Sequence, residues 1–78
     1  MPTVLWIGPY RFFFYSRENQ EPPHIHVERD DNVAKYWLEP VTLASNHGFR
    51  SYELTRLRTL VIQHREDFME AWHGYFAG

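Results

Sequence analysis

The sequence predicts an α+β fold, a small antiparallel sheet of about four strands over residues 3–43 with one long C-terminal helix over 51–76 packed on one face. Three observations carry this. The first half is a series of short runs in which polar and apolar residues alternate, each run closed by a turn-forming pair, which is the period of a half-buried strand. The second half places Leu54, Leu57, Val61, His64, Phe68, Trp72 and Tyr75 at spacings of three and four, the stripe of an amphipathic helix. A sheet followed by a single helix packs most simply with the helix stripe across one sheet face, leaving the other face free.

Taken in order, residues 3–7 (TVLWI) are short, apolar and partly β-branched, and stop at Gly8-Pro9, a turn signal. Residues 11–16 (RFFFYS) form a second strand, because aromatic residues favour a pleated, half-buried surface. The segment 17–23 (RENQEPP) is a polar loop ending in a diproline that no central strand accommodates. Residues 24–29 alternate again, Asp30-Asp31-Asn32 is a turn, and 33–38 (VAKYWL) is the return strand. Glu39-Pro40 closes it, and the stretch 41–49 has room for a short extra strand before an Asn46-His47-Gly48 turn. Ser51 is placed to cap the helix and Glu53 to meet the positive end of its dipole.

Seventy-eight residues suffice for one domain with a thin stability margin, since so short a chain buries only about 60% of the surface its unfolded form exposes. The absence of cysteine removes disulfides and thiolate metal sites together, so any metal must be held by His and carboxylate. Fourteen aromatic side chains compensate, each ring burying roughly 150–250 Å². The formal charge of −2 is spread evenly, which excludes a domain-wide attraction for nucleic acid and leaves any RNA contact to a local patch. No apolar run approaches the about 20 residues of a membrane span, and the N-terminus lacks a basic region followed by a long apolar one. The expected location is therefore the cytoplasm.

Side chains alternate across a strand, so Ile25 and Val27 belong to the core while His24, His26 and Glu28 share the opposite face. The same alternation on neighbouring strands adds Arg11, Phe13, Tyr15, Lys35 and Trp37. Three readings of this patch compete. As an acid–base site, His24 and His26 exchange protons with a phosphodiester, Lys35 and Arg11 stabilise phosphate charge, and Tyr15 and Trp37 stack unpaired bases, a ribonuclease-like arrangement. As a binding surface, the same aromatics and Arg dock a partner protein or close a homodimer without chemistry. As a metal clip, His24 and His26 supply two imidazoles, with Glu28, Glu39 or His47 as third-ligand candidates. No other cofactor is called for. His64 reads as a half-buried helix histidine, and His73 as a surface one.

The ring-rich RFFFYS strand, the EPPHIHV stretch, the AKYWLEPV strand and the terminal EAWHGYF resemble, in that order, a family of very short bacterial proteins known only as a domain of unknown function. The matching positions are Pro22, Pro23, His24, His26, Trp37, Leu38, Glu39 and Pro40. The resemblance implies a bacterial protein encoded beside another small protein, as one component of a toxin–antitoxin-like pair whose partner is the product of the neighbouring gene. It implies no reaction and no catalytic residue.

Overall fold

A computed structural model describes residues 3–18 and 20–77. Five strands, β1 (Thr3–Ile7), β2 (Tyr10–Phe13), β3 (His24–Arg29), β4 (Asn32–Leu38) and β5 (Val41–His47), precede two helices, α1 (Ser51–Gln63) and α2 (Arg65–Phe76). The strands lie in sequence order in one sheet, each antiparallel to the next. The class is α+β as the patterning implied, with one more strand and one more helix than expected.

The fifth strand hid because it is an exposed edge: Thr42 to Ser45 all face solvent, so the run shows no apolar alternation. Its pairing with β4 slips between Lys35 and Tyr36, a bulge that also breaks the period. The second strand is shorter than the RFFFYS run. The chain leaves the sheet after Phe13, and Phe14 turns into the core against Trp72 and Phe76, each at a ring distance of 5.4 Å.

The predicted single helix is interrupted at His64, whose backbone (φ −109°, ψ 14°) ends α1 and starts α2. The apolar stripe passes through the interruption unchanged, with Leu57, Val61, Phe68 and Trp72 all buried, which is why periodicity alone could not see it. The bend has a packing consequence. α1 lies against β5 and β4, whereas α2 lies against β4 and β3, so the change of direction lets the helical layer follow a twisted sheet. Arg50, not Ser51, occupies the N-cap of α1, and no side chain caps it. Glu53 is buried rather than a solvated dipole partner, because Arg29 at the end of β3 reaches it at 2.8 Å.

The core lies between the sheet and the helices: Tyr10, Phe12, Ile25, Val27, Ala34, Tyr36 and Leu38 from the strands meet Leu57, Val61, Phe68 and Trp72. Phe12 stacks on Phe68 at 5.2 Å, and the Tyr36 hydroxyl donates to the Leu54 carbonyl at 2.7 Å, joining sheet to helix. Among the described residues, no helix is long and apolar enough to cross a membrane.

Candidate functional site

Strand register assembles the second face. Phe13 pairs with His26 and His26 with Lys35; His24 pairs with Trp37, and Arg11 with Glu28. Alternation therefore places the face as the sequence predicts, with the histidines opposite Ile25 and Val27.

The face is not open at the histidines. Residues 14–18 and 20–23 fold back across it, bringing Glu18 and Glu21 onto it, and Trp72 of α2 comes against the His24 ring at 4.7 Å, leaving His24 at 0% and His26 at 8% exposure. The expectation of an accessible imidazole pair is thus corrected, and the cause is an acidic side chain that periodicity could not place. Glu18 comes down between the two rings, with Oε2 2.9 Å from His24 Nε2 and 2.9 Å from His26 Nε2. Its Oε1 lies 3.0 Å from His26 Nε2 and accepts the Tyr15 backbone N–H at 2.8 Å. The diproline makes the return path stiff and short. The Pro23 carbonyl accepts the Leu38 N–H at 3.1 Å, which ties the loop's end to β4.

The tautomer of His24 follows from its neighbours. Its Nδ1 lies 2.9 Å from the Pro22 carbonyl, which can only accept, so Nδ1 carries the hydrogen. In the neutral ring Nε2 is then a bare lone pair. That atom is buried without a hydrogen-bond partner, although a carboxylate oxygen stands 2.9 Å away. Two acceptors so close repel unless a positive charge lies between them. His26 is different, because its Nε2 donates to Glu18.

Aromatic rings wall the cluster. Trp72 lies 4.7 Å and Trp37 5.6 Å from the His24 ring, while Phe13 stacks on His26 at 5.3 Å and Tyr15 meets it edge-on at 4.8 Å. Burial pushes the His26 pKa down, with help from repulsion by Lys35 and against the opposing pull of Glu18, so the ring is neutral at pH 7. For Glu18, burial pushes upward, but the hydrogen bonds from His26 and the Tyr15 N–H outweigh it and hold the carboxyl below its usual range.

The remaining predicted residues stand around this centre. Lys35 pairs with Glu21 of the loop and sits 4.5 Å over the Trp37 ring. Arg11 pairs with Glu28 at 3.1 Å, bonds Thr3 and lies over Phe13 at 4.4 Å, so Glu28 faces Arg11, and the carboxylate grouped with the histidines is Glu18. Glu39 pairs with Arg65 instead, and His47 lies on β5 across from Val33. Tyr15 keeps its edge in solvent. An open cavity lined by Val4, Leu5, Asp67, Glu70 and Ala71 offers only two exposed carboxylates over an apolar floor, so the histidine cluster is the better candidate.

Sequence reasoning missed Glu18 and Glu21. The one available signal was an acidic loop six residues or fewer ahead of a His-x-His strand, joined to it by a diproline. Glu18, His24 and His26 each offer a ligand atom, all within 4.8 Å of one another.

One family matches residues 10–73, described as Domain of unknown function (DUF4160). The chain belongs to this family. No curated protein and no solved structure matches it. The DUF4160 match takes in β2 through most of α2, and so includes Glu18, both histidines and the rings around them.

Proposed function

We propose that this DUF4160 protein binds a divalent metal ion through Glu18 Oε, His24 Nε2 and His26 Nε2. The observation that carries the reading is the convergence of the three ligand atoms within 4.8 Å of one another, with the fully buried His24 Nε2 2.9 Å from a carboxylate oxygen and in no well-aligned hydrogen bond. A metal-ligating histidine characteristically donates its other ring N–H to a carbonyl or carboxylate, and the Pro22 carbonyl fills that role for His24. Tetrahedral zinc with ligands near 2.05 Å sets ligand atoms about 3.3 Å apart. The two carboxylate–imidazole separations of 2.9 Å therefore need to open by a few tenths of an ångström, and the two imidazole nitrogens, within 4.8 Å of one another, to settle at the same spacing. His26 moves its hydrogen to Nδ1 on loading, a change its neutral state allows. Two imidazoles and one carboxylate suit zinc, cobalt or ferrous iron rather than magnesium or calcium.

The test is equilibrium dialysis of untagged, chelator-treated protein against Zn(II) or Co(II). One ion per chain, abolished by His24→Ala, is the expected result; binding below stoichiometry overturns the reading. Co(II) should also quench Trp72 and Trp37 emission, because both rings flank His24.

A second reading rests on the row Phe13, His26 and Lys35 with Tyr15 beside it. It makes the chain one component of a toxin–antitoxin-like pair acting on RNA, with the product of the neighbouring gene as partner. Lys35 and Arg11 are both neutralised by carboxylates, so RNA must displace Glu21 and Glu28 to reach them. Expression with and without the neighbouring gene, scored for growth and RNA integrity, tests it. Equal growth and intact RNA in both cases would remove it.

A further inference from the structure

We infer that the loaded metal site takes a phosphate group, with Lys35 as its second anchor; this rests on the metal reading above. Three protein ligands leave a four-coordinate ion one position short, the arrangement of sites that bind exchangeable ligands rather than of purely structural ones. The choice of ligand follows from what surrounds that position.

The inner side is closed by Trp72 and Trp37 against His24. The outer side is bounded by Phe13 and Tyr15 against His26, and it is His26, not His24, that retains exposure. Phe13 carries no polar atom and the indole N–H groups of Trp72 and Trp37 are donors only, so of these rings only Tyr15 carries an atom able to ligate a metal. The charged group next to the cluster is Lys35, directly across from His26 in the β3–β4 register and on the same face.

Charge fixes the sign of the ligand. A dication with one glutamate and two neutral imidazoles leaves one net positive charge, and Lys35 adds a second. The present counter-charge on Lys35 is Glu21, whose side chain is 43% exposed on the covering loop. The Lys35 end of this pair is mostly covered, but the Glu21 end is open to solvent, so its carboxylate can swing away into water when a competing anion arrives. An incoming dianion can take its place on Lys35 while also filling the vacant metal position. A tetrahedral oxyanion suits this double contact, because its oxygens point in several directions and one can face the ion while another accepts from the ammonium. The Trp37 ring, 4.5 Å below Nζ, holds Lys35 on this face after Glu21 is displaced.

The experiment uses full-length Co(II)-loaded protein titrated with inorganic phosphate, read by the visible cobalt spectrum. Phosphate should perturb the spectrum saturably, and acetate at the same concentration should not. Lys35→Gln should weaken phosphate binding about tenfold or more, the scale of one charge-assisted hydrogen bond, while leaving Co(II) affinity unchanged. Glu21→Gln should tighten phosphate binding, because its carboxylate no longer competes. Tighter binding of a nucleoside monophosphate than of phosphate assigns the group to an ester ligand, and the reverse assigns it to the free ion; either supports the site. Co(II) binding without a phosphate response, an equal response to acetate, or unchanged affinity in Lys35→Gln overturns this inference and leaves the metal site standing. Failure to bind Co(II) at all overturns both.

Discussion

Glu18→Gln separates a metal-ready lone pair from a buried proton. If His24 Nε2 is a bare acceptor, the glutamine amide relieves it. The side-chain carbonyl at the Oε1 position keeps the bonds from Tyr15 N–H and His26 Nε2–H, at 2.8 and 3.0 Å, and the NH₂ group at the Oε2 position donates to His24 across 2.9 Å once a small rotation of the amide takes it off the His26 N–H, which also lies 2.9 Å from that position. Satisfying a buried acceptor recovers about 1–3 kcal/mol, whereas exchanging charge-assisted for neutral bonds to His26 and Tyr15 gives back a similar amount. Chelator-treated Glu18→Gln should therefore lie within about 1 kcal/mol of wild type at pH 7, a shift in Tm of no more than roughly 8 °C for a chain this size. The alternative is an imidazolium at His24 paired with the carboxylate. His24 is fully buried, so removing the carboxylate would strand that charge at a cost of about 3–5 kcal/mol. Urea unfolding followed by circular dichroism decides between the two. A loss of 3 kcal/mol or more would refute the tautomer argument and the metal site built on it. On the same sample, Co(II) binding should be lost although the fold is intact.

Three further outcomes follow from the same structure. Glu18 and His26 both titrate below their ordinary values of 4.5 and 6.5, so the folded state holds fewer protons than the unfolded one. Stability should be fully present above pH 6.5 and decline as pH falls, first through His26 and then through Glu18; urea midpoints independent of pH between 8 and 4 would contradict this. Gly48 has φ +103°, and an added Cβ would lie 2.1 Å from Asn32 Oδ1. Gly48→Ala should cost about 1–3 kcal/mol by urea titration, and Asn32→Ala should not rescue it, because backbone strain remains after the clash is removed. Phe12→Ala empties a fully buried position stacked on Phe68; at about 3–5 kcal/mol it should leave much of the chain unfolded at 37 °C by circular dichroism.

The legible parts of the fold were those in which burial imposes a period. Ile25 and Val27 had to be core once the strand was recognised, since a one-residue slip would bury His24, His26 and Glu28 against the helices. The same logic found the stripe through Leu57, Val61, Phe68 and Trp72. It could not find the interruption at His64, because those four residues keep their phase on both sides of it, and it passed over β5 because Thr42 to Ser45 face water on both sheet faces. Glu53 stands in the first turn of α1 as expected, but its burial was not foreseen, for a related reason. Propensity put it at a helix start, whereas its burial comes from Arg29, 24 residues earlier in the chain.

The covering loop marks the point at which pattern stops informing. RENQEPP has the composition of a solvated connection, and by composition alone Glu18 is one more surface acid. What removes it from the surface is geometry supplied by other elements. Phe14 is pinned in the core by Trp72 and Phe76, Pro23 is tied to Leu38, and a short segment held at both ends must cross the sheet face it connects. Crossing there, it meets two imidazoles and an ammonium, and its two acids settle on them, Glu18 on the histidines and Glu21 on Lys35. The two contacts differ in kind. Glu21 makes a partly exposed pair that solvent weakens, whereas Glu18 carries a carboxylate into a ring-walled space and faces a lone pair it cannot satisfy. Under the metal reading proposed above, Glu18 is there as a ligand; as a fastener for the loop alone, a neutral side chain in its place would serve.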